Sequence, residues 1–336
     1  MKKQLSLKLL SYLSFLICLI ILTVSEHAQT VPVELKHPPG NFVVVNGAKL
    51  WYESEGKGEP LLLIAGGPGS SHRYFHPFFT NLANSYRVIY FDSFGRGKSD
   101  RAKSLKDYTF DRDVEDVEGL RKALKLDKIN LLGHSYGGMV AQAYALKYPD
   151  SIKKLILADT LYSGEMWQTN NDNYNNEIRN QFPEVWEKIQ QLRVQGLQSS
   201  AKEHQAAYQV PFGLLYFYDA SNADKVTIDF YENSNADKAT SEQNNDVYYT
   251  IAGNDADFLI GGDIAKLNFR TQLKNLKMPT LIIAGRFDRV SMPKYALEFK
   301  RYAPQAQFIM FEKSGHFPFV EETAKTMEIL RGFLSK

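Results

Sequence analysis

The most constraining feature of the chain is a short stretch in its middle, Gly133-His134-Ser135-Tyr136-Gly137-Gly138. It is preceded by the apolar run Ile129–Leu132 and followed by the helix-like segment Met139–Lys147. Gly-x-Ser-x-Gly between a strand and a helix describes a turn so sharp that positions two before and two after the serine have no room for side chains. A chain built this way presents a serine hydroxyl at the end of a sheet. The backbone N–H of Tyr136, at the start of the helix, points to where an oxyanion would form.

The rest of the sequence supplies the sheet. Apolar, β-branched runs recur at Phe42–Val45, Leu50–Glu53, Leu61–Ala65, Val88–Phe91, Leu155–Ala158, Leu281–Ala284 and Phe308–Phe311. After the first three they alternate with helix-like stretches at Val114–Leu124, Pro293–Arg301 and Glu321–Phe333. Early runs that can pair as hairpins, followed by unbroken apolar runs joined through helices, predict an α/β fold: a mixed, mostly parallel sheet with helices on both faces. The alternation stops near Asp159 and resumes near Met278. The segment between is rich in Asn and Gln, but also in aromatics such as Trp167, Tyr174, Trp186, Tyr216, Tyr248 and Tyr249, which disordered segments usually lack. It is expected to be a helical cap, with helices over Asn176–Leu192 and Lys202–Tyr208 and a polar loop over Asn170–Asn176. The expected organisation is an export signal at 1–28, an α/β core at 29–159 and 278–336, and a cap at 160–277.

The export signal rests on Lys2, Lys3 and Lys8 before the apolar run Leu9–Val24, with a small residue at a cut after Ala28. The expected compartment is periplasmic or extracellular. The alternative is an uncleaved segment anchoring the chain in a membrane, although the run is shorter than the ~20 residues a span needs. Cleavage would remove three lysines, Glu26 and the only cysteine, Cys18, and bring the formal charge from +2 to zero. A neutral chain without thiols suggests neither a nucleic-acid partner nor a disulfide framework, and after cleavage no stable membrane association.

A nucleophilic serine needs a base and an acid that orients it. His316 lies in Lys313-Ser314-Gly315-His316-Phe317-Pro318, directly after the last strand. Asp288, in Gly285-Arg286-Phe287-Asp288, follows the strand Leu281–Ala284. The chain order Ser135, Asp288, His316 is that of a triad whose aspartate holds the imidazole tautomer and stabilises the imidazolium. Asp159, after Leu155–Ala158, is the rival acid. The glycines of Ala65-Gly66-Gly67-Pro68-Gly69 let backbone approach a reacting carbonyl, with the N–H of Gly67 as second oxyanion donor. Gly97-Lys98-Ser99 is not a phosphate loop, since Asp92 stands where its first glycine is required. No His, Cys, Asp and Glu spacing suggests a metal, and no cofactor is implied.

Gly66–His72, Phe91-Asp92-Ser93-Phe94-Gly95-Arg96-Gly97-Lys98-Ser99-Asp100, Gly133–Gly138 and the stretch from Asp257-Phe258 to Leu281 together resemble the proline iminopeptidase branch of the α/β-hydrolases. Two positions depart from that branch: Ala65 stands for its histidine and Ser93 for its glutamine. The resemblance implies an α/β-hydrolase fold and a serine aminopeptidase that releases an N-terminal, proline-type residue from a small or peptide substrate. It also implies cap carboxylates that hold the substrate's free amine, with Asp257 and Glu187 as candidates. An esterase or lactonase acting on an uncharged acyl group with the same triad is the alternative, and a non-catalytic binding protein on this fold is the remote one.

Overall fold

The computed structural model describes residues 37–226 and 243–336. The expected export signal lies outside the described residues. Eight strands form one sheet: β1 (Gly40–Val45), β2 (Ala48–Glu55), β3 (Glu59–Ile64), β4 (Tyr86–Phe91), β5 (Ile129–His134), β6 (Ile152–Ala158), β7 (Thr280–Gly285) and β8 (Gln307–Phe311), in the order β1-β2-β4-β3-β5-β6-β7-β8. β1 pairs antiparallel with β2, and β2 with β4; every pairing from β4 through β3 to β8 is parallel. Each apolar run read from the sequence is a strand, and the central ones are the most uniform: β5 and β7 are buried along their whole length. Strands covered by helices on both faces cannot alternate polar and apolar residues, which is why these runs are continuous.

The crossovers are helices α1 (Phe110–Ala123) and α2 (Tyr136–Lys147). α1 starts where the Thr109 side chain accepts from the N–H of Arg112, a cap that satisfies one of the free N–H groups of the first turn. One core cluster packs α1 and α2 on one face of the sheet, through Val117, Leu120, Met139 and Tyr144. On the other face Phe75, Phe79, Phe317 and Phe319 form a second cluster with Leu61, Leu132 and Leu330.

Between β6 and β7 the chain leaves the sheet and builds α3 (Gly164–Gln181), α4 (Pro183–Val194), α5 (Lys202–Leu215) and α6 (Asn245–Ala252). The chain then returns and ends with α7 (Pro293–Tyr302), α8 (Pro318–Glu321) and α9 (Thr323–Leu334). Two local expectations need correcting. Asn170–Asn176 is not a loop but the middle of α3. Its side chains are used as glue: Asn171 Nδ2 donates to Ala256 O (2.7 Å) and Asn175 Nδ2 to Asp257 O (2.7 Å), so polar residues bind the helix to the 254–260 segment. Likewise, a single helix over Asn176–Leu192 is broken at Phe182-Pro183, because proline removes a helix N–H and clashes one turn back, while it starts α4 well. Among the described residues no helix is long and apolar enough to cross a membrane.

Candidate active site

Ser135 sits at φ 54°, ψ −124° between β5 and α2, a backbone conformation L-residues rarely adopt. The turn is possible because its neighbours have no side chains. A Cβ on Gly133 would lie 2.3 Å from Gly137 O, and one on Gly137 would lie 2.3 Å from Ile64 O. The turn is then pinned by Ser135 N to Ala158 O (2.9 Å), Gly138 N to Ser135 O (2.9 Å) and Thr160 Oγ1 to Ser135 O (2.6 Å).

His316 follows β8, and its backbone N–H donates to Tyr216 O (2.7 Å). Its ring Nδ1 lies 2.8 Å from Asp288 Oδ2, with both side chains buried. Asp288 Oδ1 accepts from the N–H of Val290 (2.7 Å) and of Ser291 (2.8 Å), which fixes the carboxylate in one orientation. Asp159 does not face the imidazole. Its Oδ1 accepts from Gly285 N (2.8 Å), and its Oδ2 has no donor aimed at it. Burial, and then the neighbouring Asp288 charge, push the Asp159 carboxyl well above the ordinary carboxylate range.

Gly67 has φ 111°, and a Cβ there would meet Gly69 N at 2.3 Å. The N–H of Gly66 is engaged by the Tyr74 hydroxyl at 2.7 Å, and Gly67 follows it on the cavity wall. Tyr136 is the first residue of α2, so its N–H has no carbonyl one turn earlier to bond. Sequence reading missed the props behind both donors. Buried Arg96 donates from Nε to Pro68 O (2.7 Å) and grips Asp113 with two bonds of 2.6 and 2.5 Å. Asp113 in turn accepts from the Tyr136 hydroxyl (2.6 Å). A fully buried guanidinium–carboxylate pair is tolerable when its remaining hydrogen-bonding sites are filled, as they are here. His134 forms the other tie. Tyr74 O–H lies 2.9 Å from its Nδ1, and its Nε2 lies 2.9 Å from His316 O. Burial, and then His316, hold its pKa well below the usual histidine range, so it is a neutral bridge from the glycine loop to the histidine loop.

Ser135, His316, Gly66 and Gly67 open onto one cavity roofed by the segment between β6 and β7, with Trp167, Tyr174 and Tyr208 in its wall. Asp257 lines it as well, its Oδ2 3.3 Å from the Tyr249 hydroxyl. Burial pushes this carboxyl up to about 7. Glu187 is not brought there: it is exposed on α4 and absent from the cavity wall. The family resemblance made it a candidate, and the helical turn carries it to the outer face.

The profile of the α/β hydrolase fold family matches residues 59–323. The chain is 30% identical to a proline iminopeptidase of Heyndrickxia coagulans over 297 residues, covering 88% of this chain and 98% of that one. It is 32% identical to the proline iminopeptidase of Lactobacillus delbrueckii subsp. lactis, covering 82% and 90%. Among solved structures, a proline iminopeptidase of Mycobacterium smegmatis superposes with TM-score 0.69 at 21% identity, covering 88% and 98%. An enol-lactonase of Burkholderia xenovorans does so with 0.63 at 19%, covering 88% and 100%. With a matching profile over most of its length and relatives of this identity and coverage, the chain belongs to the α/β-hydrolase family, in its proline iminopeptidase branch, and is a hydrolase.

Proposed function

We propose that this hydrolase is a serine aminopeptidase that releases an N-terminal, proline-type residue through an acyl-enzyme. Ser135 Oγ attacks the carbonyl and gives its proton to His316 Nε2, while Asp288 stabilises the imidazolium through Nδ1. The N–H groups of Gly67 and Tyr136 receive the oxyanion. His316 then protonates the leaving amine, and a water activated by the same base hydrolyses the ester.

The observation that carries the choice of substrate is Asp257, a carboxyl on the wall of the cavity that also holds Ser135 and His316, among aromatic rings of a size to enclose a pyrrolidine. A substrate ammonium pairs with that carboxylate and fixes which bond reaches the serine. Blocking the amine leaves the carboxylate without its partner, at a cost of about 2–5 kcal/mol in the transition state. An N-acetylated prolyl anilide should therefore be cleaved at least ~100-fold more slowly than the free amine, by kcat/KM. Asp257→Asn should narrow that gap. The pairing also has a pH sign. Asp257 becomes neutral as pH falls through about 7, so KM for the free amine should rise below that pH while the blocked substrate stays level. Equal rates on both substrates would reject the peptidase. They would favour an esterase or lactonase, the reading supported by the burial that raises the Asp257 carboxyl to about 7 and so weakens its charge near neutrality.

Export is part of the same proposal, on the strength of the Lys2/Lys3 start and the Leu9–Val24 run. Protein recovered from its host should begin near Gln29 by N-terminal sequencing; a chain retained in the membrane with Met1 intact would reverse this.

A further inference from the structure

Beside the turn that follows the glycine loop, and with none of its members on the cavity wall, three histidines and a glutamate meet. Glu53 projects from β2, His72 and His76 from the turn after the glycine loop, and His37 from the chain entering β1. One nitrogen from each imidazole and a Glu53 oxygen all lie within 4.8 Å of one another. His37 Nδ1, His72 Nε2 and His76 Nε2 lie 3.1, 3.2 and 3.3 Å from the same atom, Glu53 Oε2. Glu53, His72 and His76 are buried.

Hydrogen bonding alone does not account for this convergence. A carboxylate oxygen has two lone pairs to offer, and three nitrogens address it. His72 Nε2 and His76 Nε2 approach Glu53 Oε2 at ion-pair distance without hydrogen-bond geometry, and both side chains are shut off from water. Buried imidazole nitrogens that share one carboxylate oxygen in poor geometry are costly, and such a group calls for a reason. A metal ion supplies one. In a tetrahedral zinc site with bonds of about 2.0–2.1 Å, ligand atoms sit roughly 3.3–3.4 Å apart. The three contacts to Glu53 Oε2 fall next to that edge length.

The surroundings fit the same reading. His72 Nδ1 bonds Asp92 Oδ1 at 2.7 Å, which turns Nε2 toward Glu53. Such carboxylate–histidine pairs orient metal-bound imidazoles and raise their basicity. Asp92 is itself held by the N–H groups of His72 (3.0 Å) and Lys98 (2.9 Å). Glu53 Oε1 is tied to Trp51 Nε1 at 3.1 Å, so Oε2 is the free donor. A divalent ion with neutral imidazoles, Glu53 and Asp92 forms a buried cluster of zero net charge. The sequence hides the set because its ligands come from three separate segments, and His72-x-x-x-His76 is the one short-range spacing within it.

We propose that His37, Glu53, His72 and His76 bind one zinc ion in a closed, four-coordinate structural site. The ion clips the chain entering β1 to the 72–76 turn. That turn carries Tyr74, whose hydroxyl holds the N–H of Gly66, so the ion braces the loop that presents Gly67 to the cavity.

The full chain, stripped with a chelator and then dialysed against zinc, should retain about one zinc per molecule. Its thermal midpoint should rise by roughly 5–10 °C at a thousandfold excess over Kd. Cobalt in place of zinc should give the intense visible bands of a tetrahedral nitrogen and oxygen site. His37→Ala removes a ligand at the edge of the domain, and His76→Gln removes a buried one. Either should weaken zinc binding, measured by chelator competition, by more than the ~10–100-fold that loss of an outer partner costs. Trp51→Phe should weaken it within that range. Substoichiometric zinc on the wild-type chain, or a weak octahedral cobalt spectrum, would overturn the proposal. So would unchanged affinity in His37→Ala, which keeps the buried trio and does not depend on His76→Gln folding.

Discussion

Ser135→Ala should reduce kcat on the best substrate by about 10⁴-fold or more while leaving the fold intact. The two halves of that expectation have separate physical grounds. The turn is held through backbone atoms of residue 135 — its N–H on Ala158 O, its carbonyl under Gly138 N and Thr160 Oγ1 — and alanine keeps all of them. Alanine also inherits, without adding to it, the strain of φ 54°. What disappears is the one atom that forms the covalent bond, and a nucleophile has no substitute within the proposed mechanism. The purified variant should unfold at the wild-type temperature and fail to react with a fluorophosphonate probe. Activity above a trace with unchanged stability would mean that another group attacks and that Ser135 merely shapes the turn.

What was legible in the sequence was whatever local physics decides. A strand covered on both faces is apolar at every position, so β5 and β7 announce themselves. A strand-to-helix turn this tight excludes Cβ atoms, so Gly133 and Gly137 mark the serine between them. The cap was harder because its polar residues have structural duties. Asn171 and Asn175 look like loop residues until their amides are seen bonded to the carbonyls of Ala256 and Asp257. Glu187 was a candidate from the family resemblance alone, and its position on the helix sends it to solvent. Least legible were groups assembled across distance. The Arg96–Asp113–Tyr136 chain joins the Pro68 carbonyl to the Tyr136 hydroxyl across three segments, and no spacing rule links positions 96, 113 and 136.

Those assembled groups share a pattern. Arg96 braces Pro68, Tyr74 braces Gly66, and His134 joins Tyr74 to the carbonyl of His316. The glycine loop is flexible by composition, and the Gly66 N–H and the Pro68 carbonyl, on either side of Gly67, are each tied by a buried side chain. Preorganised donors stabilise developing charge only if they need not reorganise when it appears. The large number of buried hydrogen bonds around a loop of small residues is therefore expected to show as slow amide exchange at Gly66 relative to other exposed turns.

Asp288→Asn should cost about 10⁴-fold in kcat, and Asp159→Asn no more than ~10-fold, although both are buried aspartates at the ends of neighbouring strands. The difference follows from which hydrogen bonds orient each carboxyl. In Asp288→Asn, the N–H groups of Val290 and Ser291 still demand an acceptor at the Oδ1 position, so the amide oxygen goes there and the NH₂ turns to His316. An NH₂ facing Nδ1 requires that nitrogen to be an acceptor, which puts the ring proton on Nε2 and leaves no base for Ser135. In Asp159→Asn, a neutral amide replaces a carboxyl whose ionisation burial and the Asp288 charge already oppose, and its oxygen still accepts from Gly285 N. Stability gives an independent check with a definite sign. A carboxyl whose pKa is raised on folding binds its proton more tightly in the native state, so wild-type stability falls as pH climbs from the unfolded value of about 4 toward the raised folded one. Asp159→Asn removes that slope, and its stability relative to wild type, measured by urea unfolding, should rise between pH 5 and pH 8. If Asp159→Asn proves the more damaging to kcat, the acid of the triad is on β6, and the 2.8 Å contact between Asp288 and His316 is structural.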